Sequence, residues 1–224
     1  MTRTGREVSR IEGFSDAVFG FALTLLVVSL EVPDSFAGLK QIVGGFIPFA
    51  ITFALVCWIW YEHYAFFRMF DAEDKATIAL NCTLLFLVLF FVYPLKFVFT
   101  NVIGMMGEGL AVFRGMSEAD HRLLFYVYSA GFVAMFVLLA VLYWNQYRNR
   151  EAYGLNERQA FEARAGARTH MISVSVGVLS IVLALTVPIQ WIWTAGAIYG
   201  LQGPLHWRNG VAIDRARAKA FASE

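Results

Sequence analysis

The chain is 224 residues long, 58% hydrophobic and 16% charged, with a net charge of +1 and a mean hydropathy of +0.59. An ordinary soluble domain is about 25% charged, so this composition excludes one, and the near-zero net charge gives no case for nucleic acid as a partner. Aromatic residues reach 16%, with 21 Phe and 6 Trp, and the charges gather between apolar runs, as expected of an integral membrane protein.

A helix needs about 20 apolar residues to cross a bilayer. The first candidate covers residues 12–32, where Phe14-Ser15-Asp16 follows four residues after Arg10 and leads into Ala17–Leu30, whose only polar side chains are Thr24 and Ser29. Asp16 is costly there: a carboxylate at the centre of a membrane helix costs roughly 2.5–3.5 kcal/mol, less near the interface. The second and third candidates cover 42–67 and 76–100. Cys57 and Cys82 fall inside these apolar runs without any spacing that suggests a disulfide or metal site, and read as packing residues. Residues 101–121, with four glycines, read as a loop or partial helix.

The fourth candidate covers 122–147, and the mixed-charge stretch 148–168 reads as a solvated helical linker. Met171–Leu205 is 35 residues without a charge, too long for one crossing at about 1.5 Å per residue. Pro188 disfavours a continuous helix and divides the run into spans at 169–187 and 189–206; a re-entrant hairpin is the alternative. The expected fold is therefore all-α, with six transmembrane helices in one domain and a basic tail from Arg208.

Fourteen of the eighteen Lys and Arg residues fall on one side of that topology: Arg3, Arg6, Arg10, Arg68, Lys75, the group from Arg148 to Arg168, and the tail. Lys40, Lys96, Arg114 and Arg122 fall on the other. The positive-inside rule then places both termini in the cytoplasm. A cleaved signal ending near Ser35-Phe36-Ala37 is the competing reading of the first span, opposed by Asp16 at the start of its apolar core.

The polar residues at membrane depth are few. Asp16, His63 and Asn81 come to a similar depth if adjacent helices are antiparallel, and such groups need one another in a low dielectric. Ser15-Asp16 reads either as a helix cap or as part of a buried network; His63 reads as a packing residue or a proton-sensitive one. Phe21, Thr24, Leu25 and Val28 at i, i+3, i+4 and i+7 share one helix face, with Ala17, Gly20 and Ala22 allowing close approach of neighbours.

The first-helix segment, Arg10 followed by FSDAVFGFALTLL, resembles the signature of the transmembrane protein 175 family of potassium-permeable channels, and a Trp and His late in the second span and Asn81 to Tyr93-Pro94 are similar in placement. The resemblance implies a homotetramer in the bacterial cell membrane whose first helices line a central pore. It implies Phe21 as the hydrophobic constriction, Thr24 as a polar ring, and Leu25 and Val28 as further pore positions. It also implies that Arg10, Phe14, Ser15, Asp16 and His63 hold the pore helix, together with Asn81. Phe21 departs from the family's usual Ile or Leu, which leaves open whether Phe21 or Leu25 is narrowest. The implied function is a leak-type potassium channel with other monovalent cations as possible permeants, membrane lipid and its own copies as partners, and no cofactor. No TVGYG filter sequence occurs.

Two other classes compete. A proton-coupled secondary transporter would use Asp16 and His63 as a relay, although only the Pro188 break resembles the discontinuous helices of transporters. A membrane enzyme has no support beyond Ser15, Asp16 and His63 as a triad on paper, so no enzymatic activity is expected.

Overall fold

The computed structural model describes residues 8–30, 32–108 and 116–222. Arg3, Arg6 and Arg114 of the charge asymmetry therefore lie outside the described residues. The chain divides into two compact units, Met1–Val112 and Phe113–Glu224.

The first unit contains α1 (Arg10–Val28), α2 (Phe36–Gly44), α3 (Phe46–Met69) and α4 (Lys75–Glu108). Ser9 starts α1 as its N-cap: its hydroxyl accepts from the Glu12 amide while the Glu12 carboxylate accepts from the Ser9 amide. This reciprocal capping box overturns the reading of Ser15-Asp16 as the cap, since both lie in the second turn of a helix already formed. The second span begins at Phe46 rather than at 42, because Gly44-Gly45 separates α2 from α3 and Pro48 suits a first helical turn. Asp74 caps α4 through bonds to the Ala76 and Thr77 amides, which closes the short connection and sets α3 and α4 antiparallel. Of the stretch 101–121, expected as a loop or partial helix, residues 101–108 extend α4.

α1 packs against both α3 and α4. Its buried stripe is Ser15, Phe19, Ala22 and Leu26, at i, i+4, i+7 and i+11. In the same unit Val56, Ile59, Phe66 and Phe67 of α3 and Leu84, Leu85, Val88 and Val92 of α4 are buried.

The second unit contains α5 (Glu118–Arg148), α6 (Glu157–Thr186), two 3₁₀ turns (Ile189–Trp191 and Ile198–Leu201) flanking α7 (Trp193–Ala197), and α8 (Gln202–Ala220). The expected linker at 148–168 is a turn followed by the first twelve residues of α6, which runs unbroken from charged to apolar sequence. The capping box of Asn156 with Gln159 starts this helix before the membrane span does. α5 and α6 approach closely through small residues. A Cβ on Gly177 would lie 2.6 Å from Val133 Cγ2, and one on Gly166 would overlap the Tyr143 ring.

Five helices are long and apolar enough to cross a membrane among the described residues: α1, α3, α4 over Lys75–Thr100, α5 and α6. The stretch expected as a sixth span is not one α-helix. From Ile189 it proceeds through a 3₁₀ turn, α7 and a second 3₁₀ turn into α8, whose sequence is largely polar. The alternation of 3₁₀ and α turns follows a stretch with Gly196, Gly200, Gly203 and Pro204, residues that weaken a regular α-helix.

Candidate functional site

Three expected polar residues meet in the core of the first unit. His63 Nε2 lies 2.8 Å from Asn81 Oδ1, Asn81 Nδ2 donates to Ser15 Oγ at 2.9 Å, and the Ser15 hydroxyl donates to the Ile11 carbonyl at 2.7 Å. The polarity of this chain is set by its end. Because the Ser15 proton points to a carbonyl, Asn81 must donate through its amide nitrogen and accept through its oxygen, so His63 carries its proton on Nε2. All three side chains are buried, His63 at 1% exposure. The imidazole packs between Phe19 and Phe67, with ring centroids 5.5 and 4.6 Å away.

Asp16 has a separate partner. Its Oδ1 accepts from Trp60 Nε1 at 2.8 Å, and the Trp60 ring stacks on Tyr64. It also borders a small cavity of about 210 Å³ shared with Glu12, His63 and Arg68. Arg10 does not join Asp16. Six residues of helix turn their side chains about 120° apart, and Arg10 and Phe14 are exposed. Within one chain the network expected around Arg10, Phe14 and Asp16 is thus two smaller groups: Ser15–Asn81–His63, and Asp16–Trp60.

The opposite end of α1 is also tied. Lys96 of α4 donates from Nζ to the Ser29 carbonyl at 2.9 Å and to the Ser29 hydroxyl at 2.6 Å. A helix C-terminus leaves carbonyls unsatisfied and carries a partial negative charge, so a cation there is favourable. Pro94, two residues earlier, leaves the Phe90 carbonyl without its helical partner. Sequence reasoning missed Ser9, Trp60 and Lys96 as participants. The Ser-x-x-Glu pattern from Ser9 was a usable signal; no local pattern points from Trp60 or Lys96 to residues 44 and 67 positions away.

Between these ties, α1 leaves one face uncovered. Phe21 is 66% exposed, Val28 66% and Leu25 36%, and Thr24 is exposed with its hydroxyl donating to the Gly20 carbonyl at 2.9 Å. That bond commits the Thr24 proton to its own helix, so its oxygen lone pairs are what the residue presents outward. Asp16, Gly20 and Thr24, at i, i+4 and i+8, form an exposed column without an apolar side chain beyond the backbone. Among the described residues, no group of three or more His, Cys, Asp and Glu could hold a metal ion.

The family model for the endosomal/lysosomal potassium channel TMEM175 matches residues 10–92, the segment that contains both polar groups. A potassium channel of Marivirga tractuosa is 37% identical over 191 residues, covering 82% of this chain and 77% of its own. The crystal structure of the potassium channel MtTMEM175, in complex with a nanobody–MBP fusion protein, superposes with a TM-score of 0.82 at 33% identity over 94% of this chain and 95% of that one. A TMEM175 homologue from Chamaesiphon minutus shares the fold, with a TM-score of 0.61 at 23% identity over 89% and 96% of the two chains. With a multi-pass helical architecture and a relative of this identity and coverage, the chain belongs to the TMEM175 potassium-channel family.

Proposed function

We propose that this protein is a leak-type potassium channel of the cell membrane, assembled from four copies whose α1 helices surround the pore, with both termini cytoplasmic. The observation that carries this reading is the uncovered face of α1. A helix fixed at both ends by polar ties, yet exposing Phe21, Thr24, Leu25 and Val28, leaves that face for other copies of itself. The Asp16–Gly20–Thr24 column argues against lipid as its neighbour, since lipid offers no partner to a carboxylate or hydroxyl. The segment at 189–206 serves as the sixth crossing, made of helical turns of mixed type.

In this reading Phe21 and Leu25 form adjacent apolar rings that close the pore by excluding water, as hydrophobic constrictions do. Thr24 lies between them and directs oxygen lone pairs at a partly dehydrated cation, for which potassium is favoured by its weaker hydration. Ser15, Asn81 and His63 set the rotation of α1 about its axis, and Asp16–Trp60 and Lys96–Ser29 anchor its two ends. A relay between Asp16 and His63 is disfavoured, because Asp16 bonds to Trp60 while the His63 Nε2 proton is directed to Asn81.

Purified protein in planar bilayers tests the assignment. Phe21→Ala is expected to raise the leak current and Leu25→Ala to raise it less. An unchanged current in Phe21→Ala would remove that ring from the gate. Flux that saturates with fixed proton stoichiometry would replace the channel with a transporter.

A further inference from the structure

Outside α1 the second unit carries a groove with its own chemistry. Where the charged first part of α6 runs beside α8, a cavity of about 260 Å³ is floored by Phe161, Ala165, Ala212 and Ile213 and rimmed by Arg164 and Arg168. The acids nearest in sequence are already engaged. Glu162 receives Arg217 through both carboxylate oxygens, at 2.6 and 3.0 Å, and Asp214 accepts from the same guanidinium at 2.8 Å. Those bonds hold Arg217 above its usual pKa range, chiefly through Glu162, and clamp α8 onto α6.

Arg164 and Arg168 have no such acid. Arg164 stands over the Tyr147 ring at 5.9 Å, and neither arginine makes an ion pair among the described residues. Both are exposed and spaced i, i+4, so their guanidinium groups lie on one side of α6. Arg168 is the last Arg or Lys before the uncharged run that begins at Met171, which places the pair at the level where membrane hydrocarbon gives way to water. An apolar floor beside two unpaired guanidinium groups at that level matches the two halves of an amphiphile. Guanidinium binds phosphate oxygens in bidentate fashion, and anionic headgroups attract basic residues at the membrane surface.

We infer that the α6–α8 groove binds the headgroup and first acyl carbons of an anionic phospholipid, with its phosphate held by Arg164 and Arg168. The groove is too small for a whole lipid and is open to its surroundings, so the remainder of the chains stays in the bilayer. The inference does not depend on α1 lining the pore.

The full-length protein, reconstituted in nanodiscs of phosphatidylcholine containing a minor fraction of phosphatidylglycerol, is extracted gently and its retained lipids are counted by native mass spectrometry. The wild type is expected to retain phosphatidylglycerol in preference to phosphatidylcholine. R164Q/R168Q is expected to lower that retention about tenfold or more, through loss of two charge-assisted contacts, whereas R158Q, on the same helix outside the groove, should retain as the wild type does. I213W fills the floor without removing charge and should also lower retention. Equal retention in R164Q/R168Q overturns the site, and equal retention in I213W overturns the apolar half. Displacement of phosphatidylglycerol by excess inorganic phosphate alone would overturn the lipid in favour of a free anion.

Discussion

α1 in the first unit and α6 in the second are both apolar helices whose C-terminal carbonyls are met by a cation from a neighbouring helix. Lys96 reaches Ser29 at the end of α1; Arg122 reaches the Ala184 and Val187 carbonyls at the end of α6, at 2.8 and 3.0 Å. Both helices also carry buried hydroxyls in side-chain bonds: Ser15 to Asn81 in one, and Ser129 with Ser180, which donates on to the Ala195 carbonyl, in the other. What differs is the face left over. α6 packs through small residues against α5 and exposes Val178, Leu179, Val182 and Leu185, a surface suited to lipid. α1 packs through larger residues and exposes an aromatic, a hydroxyl and a carboxylate. Similar anchoring thus serves two ends: a scaffold helix that is complete within its chain, and a helix whose exposed face is suited to further copies.

This contrast can be broken experimentally. Asn81→Leu should have the largest effect, because it strands the His63 and Ser15 groups in the core; two orphaned polar groups at about 1–3 kcal/mol each predict a loss of about 2–6 kcal/mol and of the assembled oligomer on size exclusion. An oligomer that melts like the wild type would show that the network does not hold α1. Gly177→Leu should cost about 1–3 kcal/mol by overpacking against Val133, read as a lower melting temperature in detergent, while any assembled protein conducts normally.

Lys96→Met and Arg122→Met sharpen the comparison further. Each should lower stability by about 1–2 kcal/mol, the scale of a partly buried cation at a helix C-terminus. Only Lys96→Met should also alter single-channel conductance or open time, since in the proposed assembly only α1, whose end Lys96 meets, lines the pore; equal conductance changes in both would erase the distinction. Thr24→Val should be nearly neutral for stability and reduce potassium over sodium permeability about two- to tenfold, the scale of one hydrogen-bonding group. A reversal potential unmoved under bi-ionic conditions would take Thr24 out of selectivity.

Much of this was legible before any coordinates. The apolar runs located the crossing helices, because a run of that length has no stable place in water, and the i, i+3, i+4, i+7 spacing put Phe21, Thr24, Leu25 and Val28 on one face. Depth alone suggested that His63 and Asn81 lie near each other. The four-residue spacing of Arg10 and Phe14 marked a helix already begun at Arg10, as α1 is, but it carries nothing about which face meets α3. The helical linker expected at 148–168 is helical from Glu157, but it is one element with the span that follows: charge marks where a chain leaves the hydrocarbon, and a capped helix such as α6 continues through that boundary without interruption.

Two of the four cations that the positive-inside reading leaves on the outer side, Lys96 and Arg122, are those that meet the carbonyl ends of α1 and α6. Charge counting treated them as exceptions; packing gives them a purpose, since a helix end in an apolar setting needs a donor and a nearby cation supplies it.

The sequence by itself determined the membrane, the places of five of the six expected crossing helices, and the periodic face of α1, because these follow from hydropathy and from 3.6 residues per turn. Only the tertiary structure decided that Ser15 rather than Asp16 enters the core, that Asp16 turns to Trp60, and that Lys96 closes the far end of α1. Those choices depend on the rotation of each helix about its axis, which is set by side chains tens of positions apart meeting in space.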